Sequence, residues 1–141
     1  MKTYIYSSIL IVVALFATSN LQAQQHNNHD KNKYVVLTKK IPQLQPILLT
    51  AEALKKEDGK NFGDFQVIIC GKEIGDITDT EKIGAFIKKA EQLGVQLVAC
   101  GFSLEKFQID KTRIPTEMKV VENGILYNFQ LQKKGYKSLS L

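Results

Sequence analysis

The sequence predicts an α/β protein with a mostly parallel five-stranded sheet between helical layers, a three-layer α/β/α arrangement. Three observations carry that expectation. Apolar runs of strand type alternate along the chain with stretches whose apolar residues recur at helical spacing. Val95 to Cys100 is apolar except at Gln96, the pattern of a strand covered on both faces, as parallel sheets require. Two of the runs, Ile68-Ile69-Cys70-Gly71 and Val98-Ala99-Cys100-Gly101, end in Cys-Gly. As neighbouring strands of a parallel sheet they bring both thiols to its carboxyl edge, where open α/β folds place their ligands.

Tyr34 to Leu37 is the first apolar run of strand type. Pro42 and Pro46 delimit a helix start, with Pro46 suited to the first helical position, and Ile47, Ala51 and Leu54 keep helical spacing until Asp58-Gly59. Asn61 to Asp64 reads as a turn and Phe65 to Cys70 as the second strand. Thr78-Asp79-Thr80-Glu81 has the form of a capping box, and Ile83, Phe86, Ile87, Ala90 and Leu93 form a helical stripe that Gly94 ends. After the strand at 95–100, Ser103 is placed to cap a short helix through Phe107, and Pro115 separates it from a strand at Met118 to Val121. Asn123 caps a helix from Gly124 to Lys134, Gly135 stops it, and Tyr136 to Leu141 alternates as a final strand. On the helix at 124–134, Ile125, Leu126 and Phe129 form one apolar face and Tyr127 and Leu131 another. One face covers the sheet, and the reading here gives Tyr127 and Leu131 to a second subunit.

The N-terminus has a charged start at Lys2, an apolar stretch from Ile9 to Phe16, and a polar segment in which Ala23 is the expected cleavage position. That is the form of a secretory signal peptide over residues 1–23, too short to span a bilayer. The expected location is therefore periplasmic or secreted, with no membrane span after processing. Removing the signal takes Lys2 with it and leaves 118 residues of formal charge +4, enough for one domain. Residues 24–33 contain no apolar side chain and read as a disordered tether, followed by a domain over 34–141.

Mild basicity does not imply nucleic acid, because the pairs Lys55-Lys56, Lys88-Lys89 and Lys133-Lys134 precede helix-stopping glycines, where cations offset the helix dipole. Both histidines, His26 and His29, fall in the tether. The domain therefore lacks the histidine that Cys-His or Ser-His-Asp hydrolysis and a histidine metal site need. His26, third from a free amine if cleavage exposes Gln24, makes a weak copper or nickel site the only metal reading. Asp76, Asp79 and Glu81 cluster at a helix start, where capping explains them.

Cys100 survives these exclusions as the candidate catalytic residue. It precedes a helix that favours a thiolate, with Ser103 as a cap and Gly101 open to close approach by an adduct or anion. The opposing reading makes Cys100 a small buried hydrophobe. Cys70 has weaker support, although Gly71 to Gly75 forms a glycine-bounded loop able to cradle an anion. That loop lacks the P-loop ending, and the sequence calls for no cofactor. A Cys70–Cys100 bridge requires adjacent strands about 5 Å apart with matching register.

The Ile-Ile-Cys-Gly strand end, the Val-Gln-Leu-Val-Ala-Cys-Gly strand and the closing segment Val120-Val121-Glu122-Asn123-Gly124 through Leu131-Gln132-Lys133-Lys134-Gly135-Tyr136 together resemble the DsrE/DsrF-like family of sulfur-relay and YchN-like proteins. The resemblance covers about residues 34–141. It implies a cysteine after the third strand that carries sulfur as a persulfide, a position Cys100 matches, and homo-oligomers, trimers or hexamers. It also implies a sulfur donor or acceptor, protein or small sulfur compound. Cytosolic members work under reducing conditions, whereas a signal peptide sends this chain to an oxidising compartment. Three functions follow: an exported sulfane-sulfur carrier with sulfurtransferase-like activity at Cys100, a non-catalytic oligomeric binding module with structural cysteines, and a redox pair of Cys70 and Cys100.

Overall fold

The computed structural model describes residues 31–141. The expected signal peptide over 1–23, the expected tether over 24–30 and both histidines lie outside the described residues. Five strands form one sheet: β1 (Asn32–Thr38), β2 (Phe62–Ile69), β3 (Val95–Cys100), β4 (Lys119–Val121) and β5 (Lys137–Ser140). Their order is β4-β3-β2-β1-β5, and every neighbouring pair is parallel. The helices are α1 (Leu44–Asp58), α2 (Thr80–Leu93), α3 (Gly101–Lys106) and α4 (Gly124–Lys133).

This order decides which face each helix covers. From β1 to β4 the chain steps in one direction, and from β4 it returns past three strands to β5 on the far side of β1. A right-handed crossover made in the reverse direction must lie on the opposite face. Accordingly α1 and α2 share one face, tied by Lys89 to Glu52 (2.8 Å) and by Lys55 Nζ to the Leu93 carbonyl (2.8 Å). The other face meets α4, where Tyr127 donates to Gln66 Oε1 (2.9 Å) and Ser138 to Asn128 (2.9 Å).

One helix about 10 Å wide cannot cover five strands spaced about 4.8 Å apart. The sequence of the α4 face meets that limit. Its centre is Val35, Leu37, Ile68, Val98 and Cys100, all buried, and its margins carry Gln96, Lys119, Ser138 and Ser140. The opposite face buries Val36, Phe65, Val67, Ile69, Leu97 and Ala99 beneath Ile47, Leu48, Ala51, Ile83 and Ala90. Burying a core of this size drives the assembly.

Several expected boundaries move, each for a visible reason. Asn32 and Lys33 belong to β1 and not to a tether, since Asn32 donates to Asp58 (2.8 Å) and Lys33 Nζ to the Lys134 carbonyl (2.8 Å). Pro46 occupies the third position of α1, where its missing N–H is still one of the unpaired first four. Asp79 caps α2 by accepting from Glu81 N–H (3.0 Å), because the Thr78 hydroxyl is engaged with the Gly75 carbonyl (2.9 Å). The loop expected to cradle an anion is a 3-10 helix over Lys72–Thr78 that buries Ile74 and Ile77 completely. Asn123 does cap α4, accepting from Ile125 N–H (3.0 Å) and Leu126 N–H (3.2 Å).

The faces of α4 are the reverse of the expectation. Leu131 is buried and Tyr127 half-buried against the sheet, whereas Ile125, Leu126 and Phe129 are each more than half exposed. Polar pairing decides this orientation. The Tyr127 hydroxyl bridges Gln66 and Lys119 (2.9 Å each), a role none of the three outward residues can fill.

Candidate functional site

The pairing Ile69 with Ala99 ends the β2–β3 ladder and leaves Cys70 opposite Cys100 one step further on. Both thiols are free and buried. They sit at the carboxyl edge between β2 and β3, under the first turn of α4, and not at the β1/β5 switch of strand order. The reason is the return path of α4, which begins directly over Cys100.

Gly124, the first residue of α4, is the closest cover. A Cβ there would lie 2.6 Å from Cys70 Sγ, 2.8 Å from Ile68 Cγ2 and 3.1 Å from Cys100 Cβ. Only glycine fits. Its N–H donates to Cys100 Sγ at 3.2 Å, so α4 directs an N-terminal amide at the sulfur.

Ser103 supplies the second element. It does not cap α3, because the helix starts at Gly101 with Cys100 as N-cap residue and places Ser103 inside its first turn. From there the buried hydroxyl accepts from Gly71 N–H (3.0 Å) and donates to Cys100. One side chain thus couples the turn after β2 to the thiol at the end of β3.

These contacts separate the two sulfurs. Burial alone raises the Cys100 thiol, but hydrogen bonds from the Ser103 hydroxyl, Gly124 N–H, Ser103 N–H and the Cys70 thiol outweigh it and hold the group below its ordinary value. Cys70 is pushed up to about 12 by burial, by repulsion from Cys100 and by the hydrogen bond it donates to Cys100, against a weaker pull from Lys39. The arrangement is a thiolate acceptor beside a protonated donor. That is the division between an attacking sulfur and a reserve thiol.

Gly71 and Gly101 serve the site differently from the expectation. Gly101 does approach another backbone, but that backbone is the chain's own: a Cβ would meet the Val121 carbonyl at 2.8 Å and the Glu122 carbonyl at 3.2 Å. No room for an adduct is left there. Phe102 N–H donates to the Glu122 carbonyl (2.7 Å), which locks α3 to the end of β4. Gly71 adopts φ of +90° and turns the chain from β2 into the 3-10 helix.

A cleft of about 340 Å³ opens on the other side of Gly101, between Phe102, Glu105, Lys111 and Asn123, and neither cysteine lines it. Asp76 pairs with Lys82 (2.6 Å) and Asp79 caps α2, so the carboxylates at that helix start have structural roles. Among the described residues there is no group of three or more His, Cys, Asp or Glu side chains able to hold a metal.

Sequence reasoning missed Gly124, whose value comes from a contact across 24 positions. It also missed the polar chain under α4, in which Tyr136 and Gln66 donate to Asp64, Tyr127 to Gln66, and Lys119 to Tyr127. The signal available was a strand of buried type, Phe65 to Cys70, carrying one Gln.

Fold and site together define an all-parallel α/β protein with a paired thiol centre at the carboxyl edge of its sheet. No family model matches the chain, and no curated protein matches it. The solved structures that share the fold include two of proteins of unknown function. The protein MTH1491 of Methanobacterium thermoautotrophicum is similar over 79% of this chain and 100% of its own, with a TM-score of 0.67 and 12% identity. The protein BT1422 of Bacteroides thetaiotaomicron is similar over 78% of this chain and 95% of its own, with a TM-score of 0.58 and 20% identity.

Proposed function

We propose that this chain is an exported DsrE/DsrF-like protein that accepts sulfane sulfur at Cys100 as a persulfide. The observation that carries the reading is the set of four donors, from Ser103, Gly124 and Cys70, directed at one buried sulfur. Such a set stabilises a thiolate, the form that attacks sulfur. The Cys100 thiolate attacks the terminal sulfur of a polysulfide, a Cys–S–S bond forms, and the neighbouring S–S bond breaks. A polysulfide one sulfur shorter leaves with the electron pair. Burial of Cys100, 3% exposed, favours a small inorganic donor over a docked protein. Self-association through the outward face of α4 is part of the proposal, since Ile125, Leu126 and Phe129 form an apolar strip left exposed among the described residues.

The test is intact mass of the Cys70→Ser variant, whose single thiol is Cys100, before and after exposure to polysulfide. A gain of one sulfur, mapped to Cys100 and removed by a thiol reductant, is expected. An unchanged mass, or an equal gain in Cys100→Ser, contradicts the proposal.

A further inference from the structure

We infer that Cys70 is a resolving thiol that discharges the Cys100 persulfide as sulfide and closes a Cys70–Cys100 disulfide. This rests on the sulfur-accepting role of Cys100 and specifies its product: hydrosulfide, in place of a persulfide handed to another protein.

Strand register brings the two cysteines together. Extending the β2–β3 ladder by one pair sets Cys70 against Cys100, and parallel strands lie about 4.8 Å apart, within the Cα separation a disulfide accepts. The two side chains also lie on the same face. A single point, the Cβ position absent from Gly124, is 2.6 Å from Cys70 Sγ and 3.1 Å from Cys100 Cβ. A side chain at 124 would press on both cysteines at once, and glycine leaves that position free. The Cys70 thiol is one of the groups that lower the Cys100 pKa, so its proton faces the sulfur it would attack.

The reaction balances without a further reactant. Cys70 Sγ attacks Cys100 Sγ, the bond from Cys100 Sγ to the terminal sulfur breaks, and the Cys70–Cys100 bond forms. The terminal sulfur leaves with the bonding pair and the Cys70 proton as hydrosulfide. Over uptake and release together the sulfane sulfur is reduced by two electrons, one from Cys100 as the persulfide forms and one from Cys70 as it is resolved. A small-molecule dithiol, able to enter where a protein cannot, then reduces the disulfide by exchange and restores the starting state.

Proximity favours this route over release to a second protein, because the resolving thiol is held in place while a protein acceptor must reach a buried sulfur. The glycine at 124 fits the same purpose. Any side chain there would displace Cys70 from Cys100.

The experiment exposes reduced full-length chain, Cys70→Ser, Cys70→Ala and Cys100→Ser to polysulfide, removes the excess, and follows intact mass and released sulfide. The native chain is expected to lose two hydrogens and release one sulfide per chain, while both Cys70 variants keep one added sulfur on Cys100 and release none until a thiol is supplied. A native chain that retains the added sulfur as stably as the Cys70 variants overturns the inference and leaves the sulfur-accepting role standing. Failure of every variant to gain sulfur overturns both. A stable added sulfur on Cys100→Ser together with none on Cys70→Ser reverses the two roles and also overturns the inference.

Discussion

The two Cys-Gly strand ends are close to repeats in sequence and opposite in chemistry. After Cys70 the chain enters a positive-φ glycine and a 3-10 helix, and burial and the neighbouring Cys100 hold the sulfur protonated. After Cys100 it enters α3, and the sulfur collects amide and hydroxyl donors from two helices. Thiol acidity here is set by what the next residues place around sulfur and not by the strand that carries it. The glycines differ in the same way. Gly71 is required by its backbone angle and Gly101 by the carbonyls against it.

The sharpest way to break this contrast is Gly124→Ala. The new methyl meets a strand residue and both cysteines at once, so the variant is expected to lose about 3 kcal/mol in denaturant unfolding and to raise the Cys100 pKa by displacing its amide donor. Gly101→Ala is expected to cost about 2 kcal/mol, since backbone carbonyls cannot move aside as side chains do. Gly71→Ala is milder at about 1 kcal/mol: the nearest atom is the flexible Lys39 Cγ at 3.4 Å, and backbone angle is the main penalty. Equal losses at 71 and 101 would remove the distinction between angle and contact.

Ser103→Ala tests the link between the two strand ends. Removing the hydroxyl leaves Gly71 N–H without its acceptor and takes one donor from Cys100, an expected loss of about 1 kcal/mol in unfolding. The Cys100 pKa should rise, and the Cys70 thiol should then titrate closer to it. Threonine at 103 retains the hydroxyl and should restore most of the separation.

The contrast also shows how far local pattern reaches. The parallel sheet was legible because Val95 to Cys100 and Phe65 to Cys70 are apolar enough to be covered on both faces, and the stops at Gly94 and Gly135 follow from positive φ at each. Cys100, Cys70, Gly71, Gly101 and Ser103 do converge in one place, yet Ser103 and Gly101 act differently from the local reading. Helix start and cap differ by a residue or two when several polar side chains are available. The faces of α4 could not be assigned from periodicity, because both are apolar. The hydroxyl of Tyr127 decided between them through Gln66 and Lys119, partners far apart in sequence.

Alkaline titration probes buried donors more broadly. The ordinary values of 9.0 for Cys70 and 10.0 for Tyr34 and Tyr136 are raised to about 12 in each case, with burial the first cause. Above the ordinary values the unfolded chain releases protons that the folded chain retains, so unfolding is favoured as pH rises. The urea midpoint should fall steadily between pH 9 and 12, and a flat midpoint would show that these groups ionise freely. The smallest stability effect is expected on the outer face of α4. Phe129→Glu and Leu126→Glu should leave the unfolding midpoint nearly unchanged while lowering the mass seen by light scattering. Leu131→Ala, on the inner face, should cost about 3 kcal/mol.

The most direct test is thiolate absorbance against pH for Cys70→Ser and Cys100→Ser, each read against the variant lacking both cysteines. Cys100, alone in the first variant, is expected to ionise below the ordinary thiol value of 9.0, and Cys70, alone in the second, to remain protonated above it. Coincident titrations, or Cys70 ionising first, would contradict it.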